Sequence, residues 1–210
     1  MGDIVGYGPN PAECLEMVRC LGAAVVMGNH DEACIEPGRE FELNEYARAG
    51  IAFARRELSD AQKAWLRNRP MRLDFGDFTA VHASLSDDDE WEYIFTPSDA
   101  RRHFLFQRQA VVLLRTYAPA CSLVAGGQKG ARLRTKRKRH LPAWARARWS
   151  MSGPLGQPRN MRPEACYAIY DRMAHSIAFR FIPYDLKETQ WKIFAAGLPP
   201  FLAQRLAVGR

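Results

Sequence analysis

Amphipathic stretches alternate with short apolar runs along the first half of the chain. Cys14, Leu15, Val18 and Leu21 recur at helical spacing after the turn Gly8-Pro9-Asn10-Pro11. Asn10 is placed to cap a helix opening at Pro11, Glu13 completes a capping box, and Gly22 ends the helix. Ala23 to Met27 is apolar throughout and predicts a buried strand, which stops at a loop, Gly28-Asn29-His30-Asp31. Loop, helix, strand, loop is the second half of a βαβ unit. Residues 41–68 predict two helices, the second capped by Ser59 and ended before Pro70. Met71 to Phe75 and Phe78 to Ala83 predict strands about a Gly76-Asp77 hairpin turn, with His82 at the end of the second. Beyond an acidic loop, Asp87 to Glu90, the pattern predicts a helix from Ser98 to about Tyr117 and a strand over Ser122 to Ala125. Cys166 to Tyr170 and Ser176 to Ile182 predict a strand pair, and two short helices follow near 187–196 and 200–207. The mixture is that of an α/β fold.

Composition narrows the class. A chain of 210 residues, 47% hydrophobic and 25% charged, is expected to form one domain over 1–210 with its own core. No apolar run reaches 18 residues and the start lacks a secretory pattern, so neither a membrane span nor a membrane partner is expected. Five cysteines without a CxxC pair predict reduced thiols and a cytoplasmic location. The net charge of +7 is concentrated in residues 129–149, which hold nine Lys or Arg and no acid; the remainder carries −2. That segment reads as an insert-like basic loop, with phosphate-backbone binding through Lys136 to Arg139 as the lesser alternative, so a nucleic-acid partner is not favoured. His103 and His175 are expected on a surface or helix face, and His140 is a weak candidate for a replacement ligand.

The chemistry concentrates in three segments: Gly2-Asp3, Gly28-Asn29-His30-Asp31 and Val81-His82-Ala83-Ser84. Ligands at the carboxyl ends of strands in an α/β sheet converge on one crevice. A carboxylate, an amide oxygen and an imidazole suit divalent Mn, Fe, Zn or Mg. In order and spacing these segments resemble the second, third and fourth motifs of the calcineurin-like metallophosphoesterases, most closely the bacterial type. Trp91-Glu92-Tyr93, Gly156-Gln157-Pro158-Arg159, Tyr167 to Asp171 and Gly197-Leu198-Pro199 add to the likeness, which covers roughly 1–125 and 154–210.

The resemblance implies two mixed β-sheets packed face to face with helices outside, and hydrolysis of a phosphomonoester or phosphodiester by metal-activated water. It implies metal ligands at Asp3, Asn29 and His82. His30 would stabilise the transition state or protonate the leaving group, and Asp31 would orient His30 or hold its loop.

Two departures qualify it. The family's Asp-x-His strand has no counterpart in this sequence, which begins at Gly-Asp, so the sandwich is expected to be incomplete at the N-terminus and of low stability. Where a Gly-His-Thr-His motif is expected after Ser122 to Ala125, the chain reads Gly126-Gly127-Gln128-Lys129-Gly130, and an ammonium has no lone pair to offer a cation. The residues present thus supply one cation rather than two. The departures read as a misplaced initiation codon and, over 127–153, as a short out-of-frame translation of G+C-rich DNA. Three hypotheses follow: a metal-dependent phosphoesterase of impaired activity, a catalytically inactive relative that binds one metal or a partner, and a nucleic-acid binder working through 129–149.

Overall fold

The structure, a computed structural model, describes residues 1–85, 91–106, 111–115, 122–125, 131–134, 147–151, 156–159, 161–174 and 176–209, with the backbone alone for 122–125, 131–134 and 147–151. The first half is built around four helices: α1 (Pro11–Cys20), α2 (Asn29–Ile35), α3 (Glu45–Glu57) and α4 (Asp60–Arg67), with a 3₁₀ turn at Arg39–Glu42. Two strands, β1 (Arg72–Asp74) and β2 (Phe78–His82), form the expected antiparallel hairpin. Helix α5 (Pro97–Phe104) precedes β3 (Val111–Arg115), β4 (Ser122–Ala125), β5 (Ala131–Arg134) and β6 (Ala147–Met151). A second, two-stranded sheet of β7 (Glu164–Asp171) and β8 (Ser176–Pro183) is followed by α6 (Leu186–Ala195) and α7 (Pro200–Val208).

The six-stranded sheet runs β1-β2-β3-β6-β4-β5. Its centre is parallel, β2 beside β3 and β3 beside β6, and its flanks are antiparallel. Residues 79–82 of β2 are all buried, the pattern of a strand covered on both faces. His82 therefore emerges at the carboxyl end of a strand that cannot shift register without exposing apolar side chains.

Helix α3 joins two cores. Ile51, Ala54 and Leu58 pack with Val5, Leu15, Met27, Ile35 and Leu66. Phe53 turns the other way, towards Ile193, Leu198, Leu202 and Leu206 of the closing helices. Gly50 sits where α3 meets the first loop: a Cβ there would lie 2.0 Å from the Gly6 carbonyl oxygen. Ser59 caps α4 in a full capping box with Gln62, as the sequence predicts.

Several expectations need correction. Residues 23–27 form no strand; Val25 to Met27 are buried, and Met27 N–H donates to Pro70 O at 2.8 Å without a ladder. Gly28-Asn29-His30-Asp31 is a helix start instead of a loop, with Gly28 as N-cap. Asn10 does not cap α1 through its oxygen; its amide donates to Glu13 at 3.1 Å. Leu15 is buried on α1, but Cys14 and Leu21 are exposed, so its apolar face is narrower than the spacing implies. The helix expected over 98–117 ends at Phe104, because Val111, Val112 and Leu114 are buried in a parallel pairing with β2. The basic segment supplies β5 and β6: Ala131-Arg132-Leu133-Arg134 and Ala147 to Met151 alternate as strands do, a pattern hidden by the charge count. Asp87 to Glu90, Lys129, Lys136 to Arg139, His140 and His175 lie outside the described residues.

His103 is not on the surface but fully buried on α5. Burial, with the neighbouring Arg102 cation adding to it, lowers its pKa from 6.5 to about 4. The unfolded chain therefore takes up this proton first, so the site's stability is intact above about pH 6.5 and is lost as pH falls towards 4. The loss is on the order of 2–3 kcal/mol. Denaturant midpoints measured at pH 7.5 and pH 5 should differ less in His103→Leu than in the parent chain; an unchanged difference contradicts the assignment.

Candidate metal centre

The site forms where the first loop meets the start of α2. Asp3 carries φ +54° and Gly2 φ +69°, left-handed values that bend the chain sharply and are uncommon for aspartate. The bend presses Gly2-Asp3 onto Gly28: a Cβ on Gly28 would stand 2.2 Å from Asp3 N, and one on Gly2 would stand 2.7 Å from both Gly28 and His82 Nδ1. Two glycines thus permit a backbone contact that no other residue allows. Once there, Asp3 Oδ1 accepts the backbone N–H of His30 at 3.1 Å, an anion held at a helix start.

Asp31 is wholly buried and faces this junction from inside. Its Oδ1 accepts from Ile4 N (2.8 Å) and Val5 N (3.2 Å), and its Oδ2 accepts from Gly28 N (3.1 Å). It ties the first loop to the helix start and does not line the cleft, which is the geometry of a positioning residue. Burial raises its carboxyl to about 7, the Asp3 carboxylate adds to the rise, and the three backbone donors oppose it. The carboxyl end of α2 is held as firmly: Arg55 donates to Ala33 O (2.6 Å) and Cys34 O (3.1 Å), and Arg67 donates to Ile35 O.

His82 reaches the same point from β2. Its Nδ1 lies 2.9 Å from Met1 O, a carbonyl that can only accept, which favours the tautomer with the proton on Nδ1. Trp91 packs edge-on against the ring, centroids 5.4 Å apart, and its indole N–H donates to Glu32 at 2.6 Å. His82 Nε2 stands 3.5 Å from Asp3 Oδ2. That is longer than the roughly 2.7–2.9 Å of a charge-assisted hydrogen bond. It suits two ligands of one cation, since donors each about 2.1 Å from a metal at 90–110° lie about 3.0–3.4 Å apart.

Asp3, Asn29, His30 and His82 share one cleft of about 130 Å³, so four of the five site residues expected from the sequence converge. Among the described residues no group of three His, Cys, Asp or Glu side chains converges on a metal position; Asp3 and His82 stand together, and the Asn29 side chain lines the same cleft. Three such donors fit a divalent cation whose remaining positions are taken by water or substrate. His30 is fixed by Tyr7, whose ring centroid lies 4.5 Å away, and Arg205 of α7 lies over Tyr7 in turn. Sequence reasoning assigned no role to Glu42, Asn44, Tyr93 and Arg159, which line the same cleft. Glu42 and Asn44 carry no motif signal. Tyr93 and Arg159 lie in segments that the resemblance marks.

The chain is similar to several known proteins. The calcineurin-like phosphoesterase family profile matches residues 1–127. The crystal structure of a metallophosphoesterase from Sphaerobacter thermophilus is similar over the whole chain and 87% of its own, at 32% identity and a TM-score of 0.85. A hypothetical protein from Pyrococcus horikoshii shares the fold at 18% identity, with all of this chain and 83% of that one covered and a TM-score of 0.79. An uncharacterised protein of Methanocaldococcus jannaschii is 28% identical over all of this chain and 85% of its own length. A symmetrical bis(5'-nucleosyl)-tetraphosphatase of Vibrio vulnificus is 29% identical over 43% of this chain and 34% of its own. Placed beside the convergence of Asp3, Asn29 and His82, these likenesses make the chain a member of the calcineurin-like phosphoesterase family.

Proposed function

We propose that this protein hydrolyses a phosphomonoester or phosphodiester bound over a single divalent cation held by Asp3, Asn29 and His82. The observation that carries the proposal is the Asp3–His82 pair, with the imidazole Nε2 3.5 Å from Asp3 Oδ2. When bound, the cation supplies a Lewis acid that polarises a phosphoryl oxygen and activates a water. The chain's own part is positional. Asp31 holds the Asp3 loop, Met1 O fixes the His82 tautomer, and the Tyr7 ring fixes His30 in the cleft. His30 is then the imidazole placed to give a proton to the departing oxygen. Nucleoside polyphosphates, the substrates named for the tetraphosphatases, are one class to test.

A second reading is favoured by the donor count. Among the described residues no three His, Cys, Asp or Glu side chains are grouped to hold a metal, so turnover is expected to be slow, and a protein that binds one cation and a phosphoester without cleaving it is the alternative.

Manganese titration of the parent chain should give one site, weakened at least tenfold in Asp3→Ala and in His82→Ala. Turnover of a nitrophenyl phosphoester with added manganese should fall in parallel. Manganese binding without turnover supports the second reading; no saturable binding contradicts both. Asp31→Asn places an amide N–H₂ against one of the three backbone donors and should lower stability by about 1–3 kcal/mol. A denaturation midpoint equal to the parent's contradicts the positioning role.

A further inference from the structure

A second hollow, of about 260 Å³, opens beside the metal cleft. Asn29, Glu42, Leu43 and Tyr93 line both, so whatever is joined to a phosphoryl group in the cleft has this hollow for a neighbour. Its remaining lining is Glu32, Arg39 and Trp91. Trp91 ties the hollow to the site: its ring stands edge-on to His82, centroids 5.4 Å apart, and its indole N–H donates to Glu32 at 2.6 Å. The indole is thereby fixed and its one donor is spent, which leaves ring surface as what it can offer a ligand. Leu43 and Tyr93, both half-buried, extend that apolar surface towards the cleft.

Charge gives the hollow a sign. Arg39 Nε stands 3.6 Å from a Glu32 oxygen, and Arg39 Nη1 stands 3.5 Å from a Glu42 oxygen. One guanidinium shared between two carboxylates leaves one negative charge in excess among the described lining residues. An entering phosphate or carboxylate meets like charge there, and the cation that could pair with it is already shared. A flat, uncharged ring meets aromatic surface and no such penalty. We propose that this hollow receives the alcohol portion of the substrate, taking an uncharged aromatic ring, as of a nucleoside or an aryl alcohol, and rejecting a second anionic group. The inference rests on the reading of the cleft as a phosphoester site and gives that site a substrate class: an aromatic ester whose only charge is on the phosphate to be cleaved. Nucleoside polyphosphates rank below nucleoside monophosphates, because their further phosphates fall against Glu32 and Glu42.

The test is calorimetric titration of three phosphonates, whose P–C bond water does not cleave, into the full chain loaded with manganese. Methylphosphonate reads the phosphoryl site alone. Phenylphosphonate should bind about fivefold tighter or better, and 4-phosphonobenzoate, the same ring with a carboxylate at its far end, should lose that gain. In Tyr93→Ala the ratio of phenylphosphonate to methylphosphonate affinity should fall towards one, and in Tyr93→Phe, which keeps the ring, it should hold. Glu42→Gln should bring 4-phosphonobenzoate closer to phenylphosphonate. The parent's own series decides the matter even where a variant folds poorly. Methylphosphonate and phenylphosphonate binding equally, 4-phosphonobenzoate binding as tightly as phenylphosphonate, or an unchanged ratio in folded Tyr93→Ala overturns the proposal, while methylphosphonate binding leaves the phosphoester site standing. If none of the three binds, the phosphoester reading fails and this inference fails with it.

Discussion

The site depends on one backbone contact: Gly2-Asp3 lying directly against Gly28 at the start of α2. It brings the Asp3 carboxylate onto the His30 N–H, sets Asn29 and His30 on the first turn of a helix, and leaves Gly2 against His82. A contact this close leaves several backbone N–H groups without ladder partners in a dry interior, where each would cost free energy unless satisfied. Asp31 satisfies three of them with one side chain. The cost is a carboxylate buried near a second carboxylate, which raises the Asp31 carboxyl and makes a cation at Asp3 electrostatically welcome. Strain, burial and like charge are thus gathered at the position where binding a cation relieves the repulsion between carboxylates.

Around that contact the fold acts as a frame. Helix α2 has only seven residues and could not persist alone, yet Asp31 anchors one end and Arg55 and Arg67 the other. Helix α3 buries one face against α2 and another against the C-terminal helices, so Tyr7 and His30 are held by packing that reaches from Phe53 to Leu206. The cleft is a feature of the whole described body: its lining comes from the first loop, α2, β2 and the segment that carries Arg159.

Much of this was legible in the sequence because glycine and metal-type ligands at fixed spacing carry their own physical reasons. Gly2, Gly28, Asp3, Asn29, His30 and His82 were visible, and the hairpin and closing helices followed from turn residues and periodicity. What was hidden depends on tertiary pairing. Val111 to Leu114 looks helical from its flanks and becomes a strand only because β2 offers a parallel edge. Arg132, Arg134 and Arg148 lie on strands although their charge suggests a loop. For Asp31 the sequence left two roles open, orienting His30 or holding its loop; two of its three partners are backbone groups 26 and 27 residues away, which no local pattern reveals.

Anomalous diffraction from crystals soaked in manganese tests the central claim most directly. A manganese peak is expected within coordination distance of Asp3 Oδ2, His82 Nε2 and the Asn29 side-chain oxygen. A manganese-soaked crystal with no peak there, or with its ordered peak on other residues, would contradict it.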